Sequence, residues 1–219
     1  MTIKALIFDF DGLLMDTETT LLESWRWEWR RHGLELEPAG FFADHGGDAN
    51  ESRYAALADA VGPAYDRESS HLLRTAHRAG LNAALELAPG IGGWLDRATA
   101  LGLRLAVASS SGGIHVGALL DQIGLRERFE VLATGDEVGA HKPDPAVYLL
   151  ALERLGLLPE EAVAFEDTAH GVAAARTAGL RCVAIPNPHA DHARFLAADL
   201  LLTSAADRSL DAVLAELAG

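Results

Sequence analysis

Short, mostly apolar runs alternate with longer helical patterns along most of this chain, and that alternation restricts the fold more than any other feature. The runs fall at residues 3–8, 104–108, 131–133, 162–165, 181–185 and 200–202. Helical periodicity lies between most of them, at 113–123, 145–155, 169–178 and 207–217. Strands that are apolar at nearly every position are buried on both faces, which calls for a mainly parallel sheet between two layers of helices. The expected class is therefore α/β. The rhythm breaks once. After the first strand the chain turns mostly helical, with amphipathic stretches at 18–32, 50–60 and 65–79, and Gly62-Pro63 between the last two. Ala88-Pro89-Gly90 then punctuates the return to strand-helix alternation. We read 1–16 and 88–219 as the core domain and 17–87 as a helical insertion. An insertion at this point is expected over the strand ends, as a lid is.

The position of the break matters because of what precedes it. The first apolar run ends in Asp9-Phe10-Asp11-Gly12. Side chains two apart on an extended chain point the same way, so Asp9 and Asp11 are expected on one side of the strand tip. Two carboxylates that close repel, and one pKa rises. A buried strand that ends this way calls for a cation, a proton or a reaction.

Composition narrows the partners. The formal net charge of -14 argues against a nucleic-acid partner and an anionic membrane surface, since both are bound through surplus Lys and Arg. Hydrophobic residues make up 49% of the chain, enough for a substantial core. No apolar stretch is long enough to span a bilayer, and the N-terminal residues carry no signal-peptide pattern. A cytoplasmic protein is expected, acting as a monomer. The single cysteine, Cys182, has no internal disulfide partner and lies in an apolar run, so a buried, inert thiol is expected. Trp25 and Trp29 share a helix face that Trp27 does not, which fits packing of a small bundle better than a substrate wall. Lysine occurs only at Lys4 and Lys142, so a lysine between His141 and Pro143-Asp144-Pro145 invites a role.

Four segments each close or closely follow an apolar run with polar residues, and ligands of open parallel sheets bind at such C-terminal strand ends. The first is the Asp9 segment, continuing to Asp16-Thr17-Glu18. The second is Ser109-Ser110-Ser111-Gly112-Gly113, whose hydroxyls and backbone N–H groups lead into a helix N-terminus that favours an anion. The third is His141-Lys142-Pro143-Asp144-Pro145, where Asp144 and Pro145 read as a helix start. The fourth is Phe165-Glu166-Asp167-Thr168, whose acids either cap the next helix or offer oxygen ligands to a hard cation.

Taken in order, acidic pair, hydroxyl, lysine and acidic pair, this set resembles the haloacid dehalogenase superfamily. More narrowly it resembles the branch of β-phosphoglucomutase and sugar-phosphate phosphatases, over nearly the whole chain. The resemblance implies a three-layer α/β/α Rossmann-like core with an inserted cap that selects the substrate, a small phosphorylated metabolite. It implies Asp9 as nucleophile and Asp11 as general acid and base. It implies Mg²⁺ held by Asp9, the backbone carbonyl of Asp11 and Asp167, with Glu166 as a direct or outer partner. Ser109, the N–H of Ser110 and Lys142 would bind the phosphoryl group, and Lys142 would also hold Asp9 ionised. Cap residues His45, Asn50 and Arg53 are substrate candidates. Two departures weigh against a mutase. No histidine stands in the early cap helix at Thr19-Thr20-Leu21-Leu22, and no arginine follows the cap glycines directly, where Asp48-Ala49-Asn50 stands. Hydrolysis needs one phosphate site and water, so a phosphatase is favoured over a phosphosugar mutase. A dehalogenase needs no acid at position 11. A non-catalytic binding module has no use for all four segments.

Overall fold

The structure is a computed structural model that describes residues 2–37, 41, 50–187 and 192–218. It divides into two compact units, Met1–Asp16 with Glu86–Gly219, and Thr17–Leu85.

The first unit is built on a six-stranded sheet: β1 (Ala5–Phe8), β2 (Arg104–Ala108), β3 (Val131–Ala133), β4 (Ala162–Glu166), β5 (Arg181–Ala184) and β6 (Leu200–Leu201). The order is β3-β2-β1-β4-β5-β6, and every neighbouring pair is parallel. The chain runs outward from β1 to β3, then crosses to β4 on the other side of β1. The strand order thus reverses at β1 and β4, where such sheets open a crevice at their carboxyl ends. Expected strands and observed strands agree in identity, and their ends differ by at most two residues.

The helices of this unit are α4 (Ile91–Ala100), α5 (Gly113–Gln122), α6 (Ala146–Leu155), α7 (Ala169–Thr177) and α8 (Leu210–Ala218), numbered after the three of the other unit. The period of two sorts the strands into two faces. Ala5, Ile7, Ala106, Ala108, Ala162 and Ala164 form one face, packed against Val147, Tyr148 and Ala151 of α6 and Val172 and Ala175 of α7. The run of alanines lets these helices approach the sheet closely. The other face carries Phe8 and Phe165, whose rings stack at 4.8 Å, with Trp94 of α4 5.2 Å from Phe165. Helix α4 has no counterpart in the sequence reading, because Gly92-Gly93 erase its propensity signal. It is set by tertiary contact. Gly90 before it has φ +86, and a Cβ there would lie 2.2 Å from the Ala206 nitrogen. Residues Glu86 and Leu87, expected in the insertion, group with this unit, where Leu87 bridges Met15 and the Ala88 N–H donates to Leu14 O.

The second unit holds α1 (Thr17–Arg31), α2 (Asn50–Val61) and α3 (Arg67–Asn82). Trp25 is fully buried against Tyr54 and Leu57, with Trp29 packed on the same cluster. Trp27 stacks on His77 at 4.3 Å. The three tryptophans therefore serve helix packing. Helices α1 and α3 also share a polar seam, in which Thr20 donates to Asn82 at 2.6 Å and Arg74 donates to Ser24 and Tyr54 while lying over the Trp25 ring. Among the described residues no helix is long and apolar enough to cross a membrane.

Candidate active site

The periodicity that builds the core also builds the site. Ala5, Ile7 and Asp9 alternate on one side of the first strand and its extension, as Ala162, Ala164 and Glu166 do on β4. Both acids therefore emerge on the side covered by α6 and α7. The Asp9 N–H donates to Phe165 O at 2.9 Å, which extends the β1–β4 pairing by one residue and fixes the Asp9 backbone. Lys142, just before α6, enters between the two acids.

Lys142 is 5% exposed. Its ammonium donates to Asp9 Oδ1, to Glu166 Oε1 at 2.5 Å and to the Ala108 carbonyl at 2.9 Å. An ammonium has three hydrogens, and these partners account for all three. Its reach toward a phosphoryl group is thus by charge, rather than through a donor held in reserve. Burial alone would lower the Lys142 pKa, but Asp9 and Glu166 outweigh it and hold the group charged. For Asp9 the balance runs the other way. Burial pushes its carboxyl well above the ordinary range, Lys142 opposes this, and Glu166 adds to the rise. Lys142 therefore acts toward ionising Asp9, against the effect of burial. Asp11, expected to be the repelling neighbour, contributes less than Glu166.

Glu166 is completely buried and its oxygens are committed. Oε1 accepts from Lys142 and from the Tyr148 hydroxyl at 2.6 Å. Oε2 accepts from the Asp167 N–H, the Thr168 N–H and the Thr168 hydroxyl at 3.2–3.4 Å. Gly171 lies against this carboxylate, and a Cβ there would sit 2.0 Å from its atoms. Thr168 caps α7 by accepting from the Gly171 N–H.

Asp11 leaves the strand after Phe10, and its side chain meets the loop after β2. Ser111 Oγ donates to Asp11 Oδ2 at 2.6 Å, and His115 Nε2 is 3.1 Å from Oδ1. Ser109 is buried at the end of β2, its N–H bonded to Ala133 O and its hydroxyl oxygen accepting from the Ser111 N–H. Ser110 is exposed, with its carbonyl against Gly135, where a Cβ would come within 2.0 Å. The helix N-terminus that the serines lead into is occupied from within the chain, because the Gly113 N–H donates to the Asp136 carboxylate.

Oxygen atoms of Asp9, Glu166 and Asp167 lie within 4.8 Å of one another, all three residues buried. Three buried carboxylates against one ammonium leave an excess of negative charge, which the raised Asp9 expresses. Hard oxygen donors and excess negative charge fit a hard divalent cation. The saturation of Glu166 makes Asp9 and Asp167 the better-suited carboxylate ligands.

The structure thus brings together Asp9, Lys142, Glu166 and Asp167, with Ser109 and Asp11 beside them. Asn50 and Arg53 belong to the helical unit. Asn50 opens α2, and the Arg53 guanidinium donates to the Phe41 carbonyl and lies 4.0 Å over the Phe41 ring. His45, with Gly46, Gly47 and Asp48, lies outside the described residues. Sequence reasoning missed Tyr148, whose hydroxyl on an otherwise apolar helix face was the available signal. It also missed the pairing of His115 with Asp11, which joins residues 104 positions apart.

The fold and this constellation define a family, and the sequence profile of the haloacid dehalogenase-like hydrolases matches residues 6–185. The chain belongs to that family, in its phosphatase and β-phosphoglucomutase-like branch. It is 38% identical over 215 residues to YhcW of Bacillus subtilis, covering 98% of each chain. It is 32% identical over 182 residues to the fructose-1-phosphate phosphatase YqaB of Escherichia coli, covering 81% of this chain and 94% of that one. Among solved structures, CbbY from Rhodobacter sphaeroides in complex with phosphate superposes with a TM-score of 0.77 at 32% identity, over 96% of this chain and 98% of that one.

Proposed function

We propose that this protein hydrolyses phosphomonoesters of small metabolites, sugar phosphates among them, through an aspartyl-phosphate on Asp9. The observation that carries the reading is the meeting of Asp9, Lys142 and Asp167 at the ends of β1 and β4, beside Ser109 at the end of β2. Its likeness to YqaB and to the phosphate-bound CbbY supports the substrate class.

In the first step an Asp9 oxygen attacks phosphorus, the ester P–O bond breaks, and the departing alkoxide takes a proton from Asp11. In the second step Asp11, now a carboxylate, takes a proton from a water whose oxygen attacks the same phosphorus. Inorganic phosphate leaves and the Asp9 carboxylate is restored. Ser109 and the N–H of Ser110 receive phosphoryl oxygens, while Lys142 keeps its charge beside the reacting carboxylate. Asp9, Asp167 and the Asp11 backbone carbonyl would hold Mg²⁺, which supplies the positive charge that lets an anionic nucleophile approach an anionic phosphate. Glu166 acts from behind by holding Lys142 in place. The helical unit selects the substrate, with His45, Asn50 and Arg53 as candidates.

The test is hydrolysis of p-nitrophenyl phosphate and of a panel of sugar phosphates in the presence of Mg²⁺. Activity is expected, and both EDTA and Asp9→Asn should abolish it. Hydrolysis that survives Asp9→Asn, or inactivity across the whole panel, would overturn the reading.

A further inference from the structure

A carboxyl group that gives up a proton and later takes one must be held at a fixed angle to the reacting oxygen. Asp11 lies in the turn after β1, where its backbone pairs with Met15. It follows the last strand residue by three positions and precedes Gly12, which has φ +86. Two contacts to its carboxyl group come from another part of the chain. Ser111 Oγ grips Oδ2 at 2.6 Å, and His115 Nε2 meets Oδ1 at 3.1 Å. Two contacts on two different oxygens fix both the position and the plane of the carboxyl group. The platform is itself anchored. The Gly135 N–H donates to Ser111 O at 2.9 Å, and the Asp136 carboxylate accepts from the Gly113 N–H. The His115 ring also meets the buried Phe10 ring edge-on, with centroids 6.1 Å apart.

We propose that Ser111 and His115 are positioning residues for Asp11, with Ser111 as the permanent hinge point and His115 as the partner that a leaving-group oxygen replaces on Oδ1. The proposal rests on the phosphatase reading. The two contacts differ in the required way. The Ser111 bond is the shorter, whereas the His115 side chain is 34% exposed and its contact the longer. An imidazole nitrogen can donate to a carboxylate or accept from a carboxylic acid, so the contact holds whichever form Asp11 takes. A lysine in this place could only donate.

The test compares p-nitrophenyl phosphate, whose leaving group departs without a proton, with phenyl phosphate, whose more basic leaving group benefits from one. Wild type, His115→Leu, His115→Gln and Ser111→Ala are compared by kcat/KM, which reports the step that expels the leaving group. General acid–base catalysis contributes roughly 10²–10⁴-fold, so a misplaced acid should forfeit about 10-fold or more of it. His115→Leu and Ser111→Ala should therefore lose about 10-fold more on phenyl phosphate than on p-nitrophenyl phosphate, and His115→Gln should recover most of the difference. Equal losses on the two esters, or none, would refute the positioning role. Inactivity of wild type on both esters would instead defeat the phosphatase reading. The crystal structure of His115→Leu then decides the proposal by itself, since an Asp11 carboxyl group that keeps its place refutes it.

Discussion

Replacing Gly171 by alanine should be strongly destabilising, although Gly→Ala within a helix ordinarily stabilises by about 0.5–1 kcal/mol. The added Cβ would stand 2.0 Å from the Glu166 carboxylate, whereas Cβ contacts below 3.0 Å essentially never occur. The carboxylate would have to move by about 1 Å or more. The end of a glutamate usually yields cheaply, but this one is buried and held by Lys142, Tyr148, Asp167 and Thr168. Moving it breaks a buried ion pair, which costs about 3–5 kcal/mol. That is a large part of the roughly 5–15 kcal/mol by which a folded chain is stable. At about 2–4 °C per kcal/mol for a chain of this size, the melting temperature should fall by roughly 6–20 °C. Urea and thermal denaturation read the effect, with Gly117→Ala in α5 as the control. A Cβ at Gly117 meets nothing within 4 Å, so that variant should show the ordinary gain. If Gly171→Ala is neutral or stabilising, Glu166 is not fixed by its donors, and its role in holding Lys142 fails.

Three further outcomes follow, two from the same site and one from the core beside it. Tyr148→Phe removes a hydroxyl donor from the buried Glu166 and should cost about 1.5–3 kcal/mol in urea denaturation, with a fall in hydrolytic rate. Asp9 has a folded pKa well above its ordinary 3.8, so its stabilising contribution is present below that value and lost as pH rises through the folded pKa. In EDTA the urea midpoint of wild type should therefore carry a component that declines from about pH 4 toward neutrality, which Asp9→Asn removes; an unchanged pH profile in the variant contradicts the charge balance described above. Burial pushes the Cys182 thiol well above its ordinary pKa, so a thiol reagent should label it only after unfolding. Rapid labelling of the native protein would place Cys182 elsewhere than in the sheet.

Much of the site was legible because strand tips announce themselves. Asp9, Ser109 and Asp167 each end or follow an apolar strand, and the period of two fixes the side on which a side chain emerges. Lys142 stood out because lysine is otherwise nearly absent. What escaped was every relation that depends on a neighbouring element. Tyr148 and Gly171 lie within helices whose local pattern is satisfied by packing alone. Asp9 and Asp11, two apart and expected to oppose each other directly, turn to different partners because the strand ends at Phe8 and the chain curls before Asp11.

The sequence by itself determined the parallel sheet, since the order and spacing of its apolar runs are properties of the chain alone. Only the tertiary structure decided which acid faces which base. Glu166 takes up Lys142 and Tyr148, and Asp11 takes up Ser111 and His115. Those pairings join residues 18 to 104 positions apart, and their geometry is fixed by how the helices seat against the sheet.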